Sequence, residues 1–204
     1  PTLSLGYFQS LDDRFSHAAS VDCTAVRRQS GGGAILHDRE LTYSIAVPAS
    51  HPLARDAQSL YNAAHLALVS AFCELGIKAR LFGKELVDEE LDAPFLCFQR
   101  RSRGDVVLGE AKIAGSAQRR RRGAVLQHGS VLLAASSAAP DLPGILELTG
   151  KEVPASDLAL RWIKTWTESM DGECVPHEID EPIAAAAERL AREKYGDHAW
   201  IARR

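Results

Sequence analysis

The stretch RRQSGGGAILHDRELTYSIAV, residues 27–47, places three consecutive glycines ahead of two short runs of β-branched and aromatic residues. The runs on either side of the polar turn at 37–40 predict two strands joined by a loop. Three ordered glycines cost roughly 1 kcal/mol each relative to alanine, so such a loop often brings backbone close to a ligand. A plain surface turn remains the alternative interpretation. A phosphate-binding P-loop is excluded because the closing GK[ST] is absent.

Outward from this stretch, the clearest predicted helix covers 56–75, where apolar residues recur at helical spacing and Gly76 marks the end. The other predicted elements are strands at 77–83 and 124–134, a hairpin at 105–115 turning at Gly109-Glu110, and helices at 156–170 and 182–196. Strands with helices on both sides predict an α/β or α+β fold with a mixed sheet.

The composition is that of an ordinary globular chain and predicts one domain, residues 1–204. A hydrophobic share of 46% and a charged share of 25% exclude a disordered chain. A net charge of −3 argues against a general nucleic-acid binder. No apolar run approaches the ~20 residues that cross a bilayer, so no membrane partner is expected. The start at Pro1 reads as the middle of a domain, and we expect residues to precede it.

The four cysteines, Cys23, Cys73, Cys97 and Cys174, show no CxxC spacing, which argues against a zinc knuckle or a redox pair. They are too sparse for a disulfide scaffold, so we expect reduced thiols and a cytoplasmic protein. The seven histidines show no metal-ligand spacing, and no metal site is predicted.

Two residues outside the glycine run could carry chemistry. Lys112, in GEAKIAGSAQ (109–118), lies between apolar neighbours, where a lysine loses some of its preference for charge. Cys97, in APFLCFQRR (93–101), has apolar and aromatic neighbours, which is typical of a buried and inert cysteine. A thiolate at neutral pH needs a nearby cation, which Lys112 or Arg100-Arg101 could supply. From these residues alone, a solvated lysine and an inert cysteine remain the more ordinary interpretations.

Together these landmarks resemble the family of lipoate–protein ligases, octanoyltransferases and biotin–protein ligases. The matching motifs extend over nearly the whole chain, and they are SLGYFQ (4–9), RRQSGGGAILHD (27–38), LTYS (41–44), KIAGSAQ (112–118), LQHGSVLL (126–133) and the tail from GILELTG (144–150) to AREKYGDHAW (191–200). The family's customary first strand and helix are not seen before Pro1, which leaves part of the acyl pocket unaccounted for.

The resemblance implies a mixed, mostly antiparallel sheet flanked by helices. It also implies an acyl tunnel lined by Gly31–Gly33 and His37, with Lys112 at the reacting carbonyl. Taken alone, His37 would be more typical of a structural histidine. The residues expected to bind substrate are Arg28, Gly31, Gly32, Gly33, His37, Gly115, Ser116 and His128, with the backbone N–H groups at Gly115–Ser116 as candidates for stabilising an oxyanion.

Within the family, a Cys-Phe pair about fifteen residues before the motif lysine is typical of transferases. Cys97-Phe98 and Lys112 stand at that separation. The resemblance therefore implies transfer of octanoate, or lipoate, from acyl carrier protein to a lysine of a lipoyl domain. Cys97 would carry the acyl group as a thioester and Lys112 would activate it, with no cofactor.

Three alternatives stay open. An ATP-dependent lipoate–protein ligase would need ATP and Mg rather than a cysteine. An amidotransferase would move lipoyl or octanoyl groups between proteins. A non-catalytic acyl-binding protein would keep the pocket without the reaction.

Basic residues concentrate between 97 and 128, where eight lysines and arginines face two acidic residues, giving +6 on a chain of net −3. The densest part is Arg119–Arg122. Such a patch suggests an acidic partner, and acyl carrier proteins and lipoyl domains are both acidic. A hairpin end kept soluble by arginine is the alternative. Nucleic acid is disfavoured because no aromatic residue interleaves the cluster.

Overall fold

The computed structural model describes residues 1–83 and 94–203, in which four strands precede a long helix, four more strands follow it, and four helices come after these. The strands are β1 (Thr2–Leu5), β2 (Thr24–Arg27), β3 (Ile35–His37), β4 (Glu40–Pro48), β5 (Arg80–Leu81), β6 (Val106–Leu108), β7 (Ala111–Arg121) and β8 (Ala124–Leu132). The helices are α1 (Ala57–Glu74), α2 (Ile145–Thr149), α3 (Ala155–Ser169), α4 (Glu181–Leu190) and α5 (His198–Ile201). A 3-10 turn at Cys97–Gln99 precedes β6, and a π-helical turn at Ala191–Tyr195 continues α4.

The strands form two sheets. Five of them make an antiparallel sheet in the order β4-β8-β7-β6-β5. The other three make a small sheet in the order β2-β1-β3, where β1 runs parallel to β2 and antiparallel to β3. The expected mixed, mostly antiparallel architecture flanked by helices is therefore confirmed. The two strands predicted within 34–47 form as β3 and β4, and each joins a different sheet.

The hairpin predicted at 105–115 forms β6 and β7, and its turn places Gly109 at φ 58°. Its pairing is irregular, because Val107 lies opposite Lys112 whereas Val106 lies opposite Ala114. The extra residue, Ile113, is a β-bulge, which changes the register of one strand by one residue. This bulge sets which residues of β6 and β7 meet at the site.

Helix α1 covers one face of the large sheet. It begins at Asp56, whose carboxylate accepts hydrogen bonds from the N–H groups of Gln58 (2.9 Å) and Ser59 (2.6 Å). It ends before Gly76, which has φ 67°. The apolar face of the helix, including Leu68 and Phe72, packs with residues of β6, β7, β8 and α3 in the main core.

A second apolar cluster lies under the small sheet and contains Leu3, Leu5, Leu36 and Leu96. The end of the chain closes against the same sheet. The buried Arg27 guanidinium donates to the carbonyl of Ile201, and the Trp200 indole N–H donates to the carbonyl of Arg27.

The helices expected at 156–170 and 182–196 are confirmed as α3 and as α4 with its π-helical turn. The strand expected at 77–83 is reduced to β5, because the Ile77 N–H donates to Phe72 (2.9 Å) at the end of α1. Within residues 1–83 and 94–203, no helix is both long and apolar enough to cross a membrane.

Candidate active site

The glycine run holds the backbone of Cys97. Ala34, which follows the run, donates its N–H to the Phe95 carbonyl (2.9 Å), and its own carbonyl accepts the Cys97 N–H (2.7 Å). A Cβ on Gly33 would lie 3.0 Å from the Phe95 oxygen and 3.1 Å from the Cys97 nitrogen. Glycine at this position therefore permits the close approach of two chain segments, whereas the approach of the loop to a ligand stays a prediction.

The side chain of Arg28 binds the backbone of the glycine run by hydrogen bonds. Its guanidinium donates to the carbonyls of Gly31 (2.8 Å), Gly33 (2.7 Å) and Ser4 (2.7 Å). Burial lowers the pKa of Arg28 to about 10, although the nearby Cys97 acts to raise this pKa. The guanidinium therefore stays charged at neutral pH. Gly32 has φ 91°, and its carbonyl fills the place that a Cβ on Gly6 would occupy. These contacts give Arg28 a role in shaping the loop.

Cys97 and Lys112 meet, although fifteen residues separate them. The Lys112 ammonium nitrogen lies 3.7 Å from the Cys97 Sγ and 5.3 Å from the centre of the Phe98 ring. The Lys112 side chain is 4% exposed and pairs with Asp105 Oδ2 at 2.8 Å. A half-buried thiol thus faces the amine of a buried lysine that is paired with a carboxylate.

Gly115 leaves room for this lysine. A Cβ at Gly115 would lie 2.5 Å from Lys112 Cε and 2.8 Å from Nζ. The neighbouring Ser116 N–H, expected as an oxyanion donor, reaches the hydroxyl of Tyr61 at 3.3 Å. The oxyanion role of Gly115–Ser116 therefore stays a prediction.

A buried polar chain runs behind Ser116. The Ser116 hydroxyl donates to His65 Nε2 (2.6 Å), and His65 Nδ1–H donates to the Gly104 carbonyl (2.6 Å). Tyr43 donates its hydroxyl to Ser116 from the other side. Burial lowers the pKa of His65 to about 4, so the imidazole is neutral at pH 7. Sequence reasoning missed His65, whose signal was a histidine within the apolar stripe of α1.

Four of the sequence-predicted residues line one cavity of ≈340 Å³, which we call the cysteine cavity. They are Gly32, Cys97, Lys112 and Ser116. The same cavity is also lined by Tyr61, Asp105 and Arg103, which the sequence did not single out as site residues, and by Arg100, which it gave as a possible cation beside Cys97.

A second cavity of ≈520 Å³ is lined by Arg28 and His128. His128 Nε2 lies 2.6 Å from the Ser30 hydroxyl, and burial lowers the pKa of this histidine. Among its other walls are the apolar side chains of Val26, Ala46 and Leu126. Arg28 lies between the two cavities, because it lines the second one and its Nη2 lies 3.3 Å from the place of a Cβ on Gly32, which lines the cysteine cavity.

His37 is not one of the described residues that line these two cavities. Its Nδ1 pairs with Glu40 at the start of β4. Its place in a tunnel, implied by the resemblance, stays a prediction, and the ordinary structural interpretation agrees with this contact.

The arginine cluster divides between strand and turn. Arg119 and Arg121 line the second cavity, and Arg119 donates to the Gln29 carbonyl (2.7 Å). Arg120 and Arg122 are exposed and line neither of the two cavities. In the described part of the chain, no group of three or more His, Cys, Asp or Glu side chains could hold a metal ion.

Comparisons with known proteins show the family of this chain. The family model of the lipoyl protein ligase A/B catalytic domain matches residues 1–155. The chain is 32% identical to octanoyltransferase LipM of Bacillus anthracis over 228 residues, covering 98% of this chain and 82% of that protein. It is 31% identical to octanoyltransferase LipM of Staphylococcus aureus over 231 residues, covering 100% of this chain and 83% of that protein.

Solved structures share the fold. One is lipoate-protein ligase A bound with ATP, at TM-score 0.76 and 24% identity, covering 98% of this chain and 81% of that one. Another is a bi-partite lipoate protein ligase from Thermoplasma acidophilum, studied with its E2 lipoyl domain, at TM-score 0.74 and 19% identity, covering 98% and 79%. The family model and the curated relatives identify an acyltransferase. The chain belongs to the lipoyl protein ligase A/B catalytic-domain family.

Proposed function

We propose that this enzyme transfers an octanoyl group from acyl carrier protein to a lysine of a lipoyl domain, through a thioester on Cys97. The observation that carries the proposal is the 3.7 Å approach of Lys112 Nζ to Cys97 Sγ inside one cavity. The full-length likeness to octanoyltransferases supports the choice of acyl group.

In the first step the Cys97 sulfur attacks the carbonyl of the octanoyl thioester. A carbon–sulfur bond to Cys97 forms and the bond to the carrier's thiol breaks. The proton lost by Cys97 is balanced by the proton that the departing carrier thiol takes up. Lys112 places positive charge beside the sulfur, which favours the nucleophilic thiolate.

In the second step the amine of the acceptor lysine attacks the acyl-enzyme. An amide bond forms, the bond to Cys97 breaks, and one amine proton returns to the sulfur. The cysteine is regenerated, so one difficult transfer becomes two easier ones. The acceptor is a lipoyl domain by analogy with the E2 lipoyl domain that accompanies the archaeal relative.

The octanoyl chain needs an apolar site near the sulfur. The second cavity supplies walls at Val26, Ala46 and Leu126, and Arg28 separates it from the cysteine cavity. Apolar burial of the chain would provide most of its binding energy. The thioester end would then reach Cys97 past the glycine run.

The experiment is intact-mass measurement after incubation with octanoyl-carrier protein and no ATP. The expected result is an octanoyl adduct on the parent enzyme that Cys97→Ala abolishes together with transfer. Cys73→Ala is the matched control, because Cys73 is an exposed residue of α1, and it should keep both. A parent enzyme that stays unmodified and transfers no octanoyl group, with or without ATP and Mg, would point to a non-catalytic acyl-binding protein.

The ATP-dependent ligase is a second candidate, favoured by the fold it shares with lipoate-protein ligase A. Octanoyl transfer by Cys97→Ala that occurs only with ATP and Mg would replace the thioester route by this one. Transfer from an octanoylated lipoyl domain, but not from the carrier, would instead identify an amidotransferase.

A further inference from the structure

We propose that Asp105 is a positioning residue that holds Lys112 as an ammonium group directed at Cys97. The inference rests on the function proposed above and adds a third member to its Cys97–Lys112 pair. Asp105 Oδ2 lies 2.8 Å from Lys112 Nζ, closer than the 3.7 Å between Nζ and the sulfur. The two paired side chains are only 1% and 4% exposed, so solvent does not compete for the contact.

Asp105 is itself fixed from several directions. The Tyr61 hydroxyl of α1 donates to Oδ1 (2.6 Å), and the Ser102 N–H donates to Oδ2 (2.6 Å). Burial and the charge of Asp105 raise the pKa of Tyr61, so the phenol keeps its proton and acts as a donor. Donors that converge on a buried carboxylate favour its charged form. A charged carboxylate in turn favours a charged lysine beside it.

This arrangement decides between two roles for Lys112. A lysine paired with Asp105 as an ammonium has no lone pair, so it cannot take the proton of Cys97. That proton leaves to solvent, and the ammonium keeps its three protons through the first step. Lys112 therefore acts as the charge partner of the thiolate, and Asp105 keeps it available for that task.

The test measures alkylation of Cys97 by iodoacetamide against pH, in a background with Cys23, Cys73 and Cys174 changed to serine. Asp105→Asn leaves a buried ammonium without its carboxylate, so Lys112 should lose its proton and Cys97 its cation. We expect alkylation at pH 7 to slow about tenfold and to recover above about pH 8.5. Asp157→Asn is the matched control, because Asp157 pairs with Arg161 on α3, and it should leave the profile unchanged.

A double-mutant cycle shows whether Asp105 acts through Lys112. Adding Asp105→Asn to Lys112→Met should slow alkylation no further than Lys112→Met alone. Losses that multiply in the double variant would mean an independent structural role and would overturn the proposal. An Asp105→Asn profile identical to the parent's would overturn it as well.

If Asp105→Asn does not fold, Tyr61→Phe replaces it, since this change removes the hydroxyl that holds Asp105 Oδ1 and so loosens the contact of the carboxylate with Lys112. It should shift the alkylation profile toward higher pH, and an unshifted profile would contradict the proposal. Alkylation needs no acyl donor, so its outcome is separate from the octanoyl adduct. If the parent enzyme takes no octanoyl group but its alkylation profile changes in Asp105→Asn, the proposed function is contradicted and the positioning role of Asp105 is supported.

Discussion

Gly115 determines the path of the Lys112 side chain. A Cβ there would overlap Lys112 Cε and Nζ, at 2.5 and 2.8 Å. Because the far end of a lysine is flexible, Gly115→Ala should displace the ammonium group and leave the fold intact. We expect acylation of Cys97 by octanoyl carrier to slow by ~10²-fold, the lower range for a lost proton-handling or charged group. Intact mass against time measures the rate, and Tm should fall by less than about 4 °C.

Gly83→Ala serves as the control for this prediction. Apart from its chain neighbours, no atom of residues 1–83 and 94–203 lies within 4 Å of the place where its Cβ would be, so the rate should match the parent's. Acylation of Gly115→Ala at the parent's rate would show that the position of Lys112 beside the sulfur is not needed.

Among single residues, Cys97 and Lys112 could be predicted and Asp105 could not. The Cys-Phe pair and the KIAG motif stand at a separation that the family resemblance makes informative. An aspartate at the start of a hairpin is typical of turn chemistry, and regular pairing would place it opposite Ala114. The bulge at Ile113 shifts the register, so that Asp105 lies beside Gly115 and reaches Lys112. Nothing in the residue pattern marks this bulge.

At the scale of elements, α1 carries a buried imidazole. Burial lowers the pKa of His65 to about 4 from its ordinary 6.5. In the unfolded chain His65 is protonated below about pH 6.5, whereas in the folded protein it stays neutral down to about pH 4. The free energy of unfolding therefore falls as the pH drops through this window, and His65 accounts for about 2 kcal/mol of the loss at about pH 5.

Urea unfolding at about pH 7.5 and about pH 5 measures this contribution. The parent's loss of stability between the two should be reduced by about 2 kcal/mol in His65→Gln. His177→Gln is the control, because His177 is exposed, and it should behave as the parent does. If His65→Gln loses as much stability between the two pH values as the parent does, another group is responsible for the acid sensitivity.

Most elements follow from periodicity and from caps, and their distribution between sheets does not. The apolar spacing over 56–75 and the cap at Asp56 are local features, and α1 forms where they predict. β3 and β4 are separated by only Asp38 and Arg39, yet they belong to different sheets. That partition depends on which distant strands they meet, which single-sequence patterning does not specify.

Over the whole molecule, more positively charged side chains lie around the two cavities than at the end of the β7–β8 hairpin. Arg100 and Arg103 line the cysteine cavity, whereas Arg120 lies eight residues beyond Lys112, about 26 Å along β7. We expect Arg100→Gln with Arg103→Gln to raise the KM for carrier-bound octanoate several-fold and to flatten its salt dependence. Surface charge acts mainly on the encounter of the partners and is screened by salt.

Steady-state kinetics at low and high salt measure the effect. Arg120→Gln with Arg122→Gln removes the same charge from exposed positions that line neither cavity, and KM should stay within about twofold. A larger effect from this second pair would move the carrier's docking site to the end of the hairpin, where the sequence pattern alone had suggested it.

The hydrogen bonds between Ala34 and the Phe95–Cys97 backbone join segments some sixty positions apart. Such contacts form late in folding, because the entropy of closing a long loop must be overcome first. Helix α1, whose hydrogen bonds are local, can form much earlier. Until these contacts form, Cys97 is not held beside Lys112, and its thiol reacts as an ordinary cysteine does. In the function proposed above, the sulfur becomes a nucleophile only once the fold has closed around it, so an incompletely folded chain would not present an activated thiol to electrophiles.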